Sequence, residues 1–285
     1  MQNINKEKVE KDIYEIAKKS SEDLNYENLK IIFNCIDLTS LNLDDNEQKI
    51  KELTQKVSKF KEFYPDYYNV AAICSWPHFV KTIKDNLTDN SVKIACVAGS
   101  FPFSQTFFSI KLEEISLAIN RGADEIDIVF PIGKFLNKQF NDVANEISVI
   151  KSLAQDKVVK VILETGFLKD ENLIYQASLI SMECGADFIK TSTGKYEIGA
   201  TYEAVYTMCL AIKDFYEKNK KMVGIKPSGG INSLRQSLTY FTIVKEVLGE
   251  LWLNNKLFRI GTSKLANIIL TELNKMTQKS PGFYF

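Results

Sequence analysis

The chain has 285 residues, 45% of them hydrophobic and 25% charged, enough for one large folded unit or two small ones. Thirty-six basic residues balance thirty-six acidic ones, so net charge gives no reason to expect nucleic acid or an anionic membrane as partner. A single histidine, His78, is all the sequence offers to imidazole-rich metal sites and to Ser-His or Cys-His nucleophile pairs; lysines and carboxylates are left to carry any proton chemistry.

The N-terminal stretch MQNINKEKVEKDIYEIAKKSSEDL is too charged for a signal peptide, and no run reaches the roughly 18 apolar residues of a membrane span. Residues 1–28 read as a helical extension, with a packing role and an apolar face suited to an oligomer contact. Residues 29–285 read as one catalytic domain. Short apolar, β-branched runs then recur at 31–38 (IIFNCIDL), 70–76 (VAAICSW), 92–99 (VKIACVAG), 125–130 (EIDIVF), 158–165 (VVKVILET), 187–193 (DFIKTST), 222–228 (MVGIKPS) and 258–263 (FRIGTS). Between them lie helical patterns such as 106–122, 171–185 and 201–219, two of which close on a glycine suited to a C-cap. Strict alternation of strand and helix implies parallel pairing, and eight such units close a (β/α)8 TIM barrel, an α/β fold. The five cysteines (Cys35, Cys74, Cys96, Cys184, Cys209) are scattered and include no CxxC pair. That argues against a disulfide framework or structural zinc and for a reducing, cytoplasmic setting.

Nearly every strand carries a polar or reactive residue late in its run: Asp37, Cys74, Asp127, Glu164, Lys190, Lys226 and Ser263. In such barrels the C-terminal ends of the strands hold the active site. A weak repeat, RGADEIDIV at 121–129 and CGADFIKTS at 184–192, superposes Asp127 on Lys190, so acid and lysine share a layer of the barrel interior. Lys190 and Lys226 fall on neighbouring strands, roughly 5 Å apart. At an effective dielectric near 20 their charges repel by about 3 kcal/mol, or about two pKa units on one of them. One lysine is then expected to be a neutral amine near neutral pH, able to attack a carbonyl and form a Schiff base, with Asp127 beside it to move protons. Glu164 and Asp37 are further candidates for orienting a lysine.

Three segments suit a phosphate: STGK (192–195) with Gly194 and Lys195, SGG (228–230) with Gly229 and Gly230, and GTS (261–263) with Gly261 and Ser263 ahead of a helix. The residues leave several functions open. They include a Schiff-base aldolase of some phosphorylated sugar, a pyridoxal-phosphate protein and a silent barrel that binds sugar phosphates.

The stretches DLTSLN (37–42), AAICSWP (71–77), GADEIDIVFP (122–131), KVILETGFLKDE (160–171), GADFIKTSTGK (185–195), GIKPSGGI (224–231) and FRIGTS (258–263) resemble the deoxyribose-phosphate aldolase family. The resemblance implies a class I aldolase that cleaves 2-deoxyribose 5-phosphate into acetaldehyde and glyceraldehyde 3-phosphate, reversibly, without metal or cofactor. It makes Lys190 the Schiff-base lysine, Lys226 the neighbour that lowers its pKa, Asp127 the proton shuttle and Tyr284, near the C-terminus, a further catalytic group. Asp37, Thr39, Cys74, Glu164 and Thr193 are then the substrate-binding candidates. Three positions depart from the family pattern: Asn232, where a basic residue usually follows Gly-Gly; Lys264, where serine is usual; and Ser104, often glycine. Lys264 is expected to restore at the phosphate the cation that Asn232 lacks.

Overall fold

Eight short strands run parallel around a common axis, and a computed structural model of the chain describes them within residues 4–278 and 285. They are β1 (Ile36–Thr39), β2 (Ala72–Ser75), β3 (Lys93–Ala98), β4 (Glu125–Val129), β5 (Val158–Ile162), β6 (Phe188–Lys190), β7 (Gly224–Lys226) and β8 (Ile260–Thr262). Each strand from β1 to β6 pairs with the next, and β1 also pairs with β8. Isolated bridges Ile225 to Phe258 and Ser228 to Gly261 join β7 to β8 and complete the (β/α)8 ring. The strands are almost wholly buried, as expected for a sheet with helices outside and side chains filling the interior.

The helices form because apolar residues recur at helical spacing behind side-chain caps. Asn46, Asp170, Thr201 and Ser233 each accept a hydrogen bond from the backbone N–H three residues on, which starts the helices Glu47–Phe63, Glu171–Glu183, Tyr202–Asn219 and Leu234–Leu248. The helical patterns read from sequence at 106–122, 171–185 and 201–219 correspond to Phe108–Asn120, Glu171–Glu183 and Tyr202–Asn219.

The structure corrects the start of the barrel. The apolar run at 31–38 is two elements: Ile31, Ile32 and Phe33 belong to a helix, and the strand begins only at Ile36. Asn25 caps this helix through the Asn28 N–H, and Leu29, Ile32 and Phe33 form its buried face, a spacing of three and four that outweighs the β-branched composition. Counting the helix Lys6–Lys19 as α1, this helix, Tyr26–Asn34, is α2, so a boundary at residue 28 falls inside it. Both helices pack against the outer helices of the barrel. The Tyr206 hydroxyl donates to Asp12 of α1, and Asp23, between the two helices, accepts from Thr242 and Lys245.

Gly224 opens β7 directly beside Phe188 of β6. A Cβ at this position would lie 2.3 Å from the Phe188 ring, so the two strands that carry the lysines meet only because this residue has no side chain. Gly224→Ala is expected to lower unfolding stability by about 1–3 kcal/mol. Urea unfolding checks this, and an unchanged midpoint would contradict it.

Candidate active site

The interior near the C-terminal ends of the strands is a cluster of buried charges. Register places Lys190 against Lys226 and Asp127 against Lys160. Asp127 Oδ2 accepts from Lys190 Nζ and from Lys226 Nζ, both at 2.8 Å, and its Oδ1 accepts from Lys160 Nζ at 2.9 Å. A second tier lies beneath. Lys226 Nζ stands 2.5 Å from Asp37 Oδ2, Lys160 Nζ 2.6 Å from Glu125 Oε2, and the Arg259 guanidinium spans Asp37 and Glu125. Lys160, Lys226, Asp37 and Asp127 are fully enclosed, and Lys190 is 3% exposed.

Four cations face three carboxylates, so the set becomes neutral when one cation gives up its proton. Lys190 is the one of the four whose pKa is lowered. Burial pushes its pKa down, the Lys226 charge adds to the effect, and Asp127 opposes it without prevailing. For Lys226 burial also disfavours the charge, but Asp127 and Asp37 together outweigh it and the pKa rises. Burial alone would push the Asp127 carboxyl up; instead Lys160, Lys190 and Lys226 hold it well below the usual carboxylate range.

The Asp127, Lys190, Lys226 and Asp37 grouping was legible in sequence; Lys160, Glu125 and Arg259 were not singled out. Their signal was the period of two within the strands. Glu125 lies two residues before Asp127, and Lys160 interrupts an apolar run at the position opposite Asp127.

Above Lys190 opens a cavity of about 250 Å³. Its lining includes Thr39, Thr193, Gly194, Lys195, Gly229, Gly230, Gly261, Ser263 and Lys264, which unites the three candidate phosphate segments, and Asn232 stands at its edge. Gly229 and Gly230 take φ values of 88 and 75, and among the described residues nothing lies within 4 Å of the point where a Gly230 side chain would begin, so the described residues leave that backbone open to an anion. The helix Leu265–Met276 starts at the same place, with Lys264 at its N-cap. A helix N-terminus favours negative charge. Lys195 Nζ donates to the Leu41 carbonyl and stands 5.8 Å from the centre of the Trp76 ring, whereas Lys264 makes no ion pair among the described residues.

Other candidates lie apart from this cavity. Cys74 is buried in a small apolar cluster with Leu41, Ala72, Ala95 and Val97, and burial pushes its thiol pKa up, so it serves as wall. Asp37 sits below Lys226, sealed from the cavity. Glu164 is joined to the site through Thr193, whose hydroxyl and N–H it accepts. His78 is exposed and packs on Phe79. Ser104 is buried and accepts from Lys111 Nζ at 2.7 Å, which anchors the loop after β3. Tyr284 lies outside the described residues.

A parallel barrel that gathers buried lysines around one carboxylate, beneath a cavity suited to an anion, has the architecture of a lysine-dependent aldolase. The chain belongs to the DeoC/LacD family of aldolases, whose family model matches residues 31–244. It is 38% identical over 246 residues to the deoxyribose-phosphate aldolase of Homo sapiens, covering 82% of this chain and 77% of that one. It is also 38% identical over 245 residues to the enzyme of the same name from Agrobacterium fabrum, covering 85% and 90%. Among solved structures, a tetrameric deoxyribose phosphate aldolase from Aeropyrum pernix superposes with a TM-score of 0.70 at 25% identity, over 92% of this chain and 97% of that one.

Removing Lys160 leaves two buried carboxylates short of a partner. Lys160→Met is expected to cost about 3–5 kcal/mol of unfolding free energy. A urea-derived stability within about 1 kcal/mol of the parent protein would show that the second tier does not hold the cluster together.

Proposed function

We propose that this protein cleaves 2-deoxyribose 5-phosphate reversibly into acetaldehyde and glyceraldehyde 3-phosphate through a Schiff base on Lys190. The observation that carries this reading is the shared carboxylate. Lys190 and Lys226 bond the same oxygen of Asp127, and of the two only Lys190 borders the cavity. In this reading the neutral Lys190 amine adds to the sugar aldehyde, and loss of water gives an iminium ion. The iminium draws in the electron pair of the breaking C2–C3 bond as the C3 hydroxyl gives up its proton. Glyceraldehyde 3-phosphate departs, and protonation and hydrolysis of the remaining enamine release acetaldehyde.

Asp127, with Lys160 and Lys226 as ammonium partners, stays a carboxylate between steps. It assists proton transfer by exchanging hydrogen bonds with Lys190 and Lys226, and it stabilises the iminium charge. The phosphate sits among Gly194, Gly229, Gly230 and Ser263 at the start of the helix Leu265–Met276, with Lys264 as its counter-charge. The same reading places the enzyme in the cytoplasm, where five free cysteines persist, and extends to self-assembly of the kind described for the Aeropyrum pernix protein.

Borohydride reduction in the presence of deoxyribose 5-phosphate or acetaldehyde is expected to leave a mass-detectable adduct on Lys190 that Lys190→Met abolishes. Absence of any adduct, while a known aldolase labels normally, would sink the assignment. Lys264→Ala is expected to raise KM for the phosphorylated sugar about tenfold with kcat retained, equivalent to about 1.4 kcal/mol of uniform binding. An unchanged KM would show that Lys264 does not replace the missing cation at Asn232.

A further inference from the structure

Glu164 stands just beyond β5 with a left-handed backbone (φ 52, ψ 58), a conformation that non-glycine residues take at a cost and that is concentrated at functional sites. Its Oε2 accepts from Thr193 Oγ1 at 2.5 Å and its Oε1 from Thr193 N at 3.2 Å. Thr193 lines the cavity above Lys190, whereas Glu164 does not. Glu164 instead borders a second cavity of about 350 Å³, walled by Val129, Ile132, Leu136 and Phe167. The carboxyl thus lies between an apolar chamber and Thr193, a residue of the reaction cavity whose hydroxyl also accepts from the Lys195 N–H at 3.0 Å. Burial raises its pKa, against the hydrogen bonds of Thr193 and the charge of Lys190. The other charged or titratable groups on neighbouring elements are Asp127 on β4, Lys134 on the helix Ile132–Leu136, Lys169 at the end of the turn Thr165–Leu168, and Lys195 and Tyr196 beyond β6. Lys190 is the one whose charge acts on the carboxyl.

The charge count points the same way. The buried cluster of four cations and three carboxylates is neutral with Lys190 as an amine and Glu164 protonated. It is equally balanced with a cation at Lys190 and Glu164 ionised. A proton passed between these two positions leaves the interior without net charge at either stage.

We propose that Glu164 is a positioning and proton-holding residue that acts through the Thr193 hydroxyl on the Schiff-base chemistry of Lys190. This rests on the aldolase reading above. Once Lys190 Nζ has added to the aldehyde, the carbinolamine must expel its hydroxyl. Thr193 gives its proton to that oxygen and takes the Glu164 proton in its place. The C–O bond breaks, water leaves, the nitrogen lone pair becomes the second C–N bond, and the iminium cation is matched by a Glu164 carboxylate. Hydrolysis of the product iminium returns each proton by the same route.

Glu164→Gln keeps an oxygen for Thr193 and removes the exchangeable proton. With deoxyribose 5-phosphate its kcat is expected to fall about 100-fold while KM stays within about threefold, and the loss of kcat with rising pH that deprotonation of Glu164 supplies is expected to vanish. Thr193→Val is expected to show the same loss and Thr193→Ser to restore it; this pair decides the matter if Glu164→Gln fails to fold. A Glu164→Gln enzyme that keeps its kcat, or one that loses activity with the pH profile intact, overturns the proposal. Trapping on the unmodified enzyme separates the two claims. No Lys190 adduct overturns the aldolase reading, whereas a normal adduct together with a normal Glu164→Gln profile overturns this inference alone.

Discussion

One carboxylate shared by three buried lysines organises this protein. Asp127 bonds Lys160, Lys190 and Lys226 inside the barrel, away from water. Stripping an ion of water costs several kcal/mol even after relaxation, so each lysine is tolerable there only if a counter-charge meets it. Lys160 has Glu125 in addition to Asp127, and Lys226 has Asp37. Among the described residues, Lys190 has only the oxygen it shares with Lys226. The least compensated cation is the one whose pKa falls, and it is also the one that borders the cavity. Reactivity follows from an uneven distribution of partners rather than from any special property of one side chain.

The barrel makes that unevenness possible. Parallel register puts Lys190 beside Lys226 and Asp127 beside Lys160, and the alternation along each strand brings Glu125 into the layer below Asp127. Arg259, at the approach to β8, closes the lower tier by joining Asp37 to Glu125 across the interior. The loops after β6, β7 and β8 then assemble one anion-accepting cavity above the lysines, with a helix N-terminus at its rim.

Much of this was legible in the chain because the signals are local. Apolar β-branched runs marked the strands, and polar residues late in those runs marked the mouth of the barrel. The Gly-Ala-Asp repeat correctly put Asp127 and Lys190 in reach of each other. What was missed has a physical cause in each case. The run at 31–38 mixes a helix and a strand of similar composition that meet at Cys35, and Asn25, the cap that starts the helix, lies upstream of the run. Lys160, Glu125 and Arg259 sit below the rim, where a charge has meaning only once its partners on other strands are known. Cys74 is a buried member of an apolar cluster that lies within electrostatic reach of Lys190 and Lys226. The bond from Glu164 to Thr193 joins residues 29 positions apart and depends on a left-handed turn that no composition signal marks.

The account stands most directly on the protonation of Lys190. Labelling the lysines by ¹³C reductive methylation under native conditions, or isotopically where burial blocks the reagent, and following the shifts of Lys190 and Lys226 against pH in the intact protein tests it without substrate. The account predicts that Lys190 titrates below the ordinary lysine range while Lys226 stays charged at every pH the fold survives. If Lys190 titrates at or above the ordinary value, or if Lys226 is the one that loses its proton, the shared-carboxylate explanation is wrong.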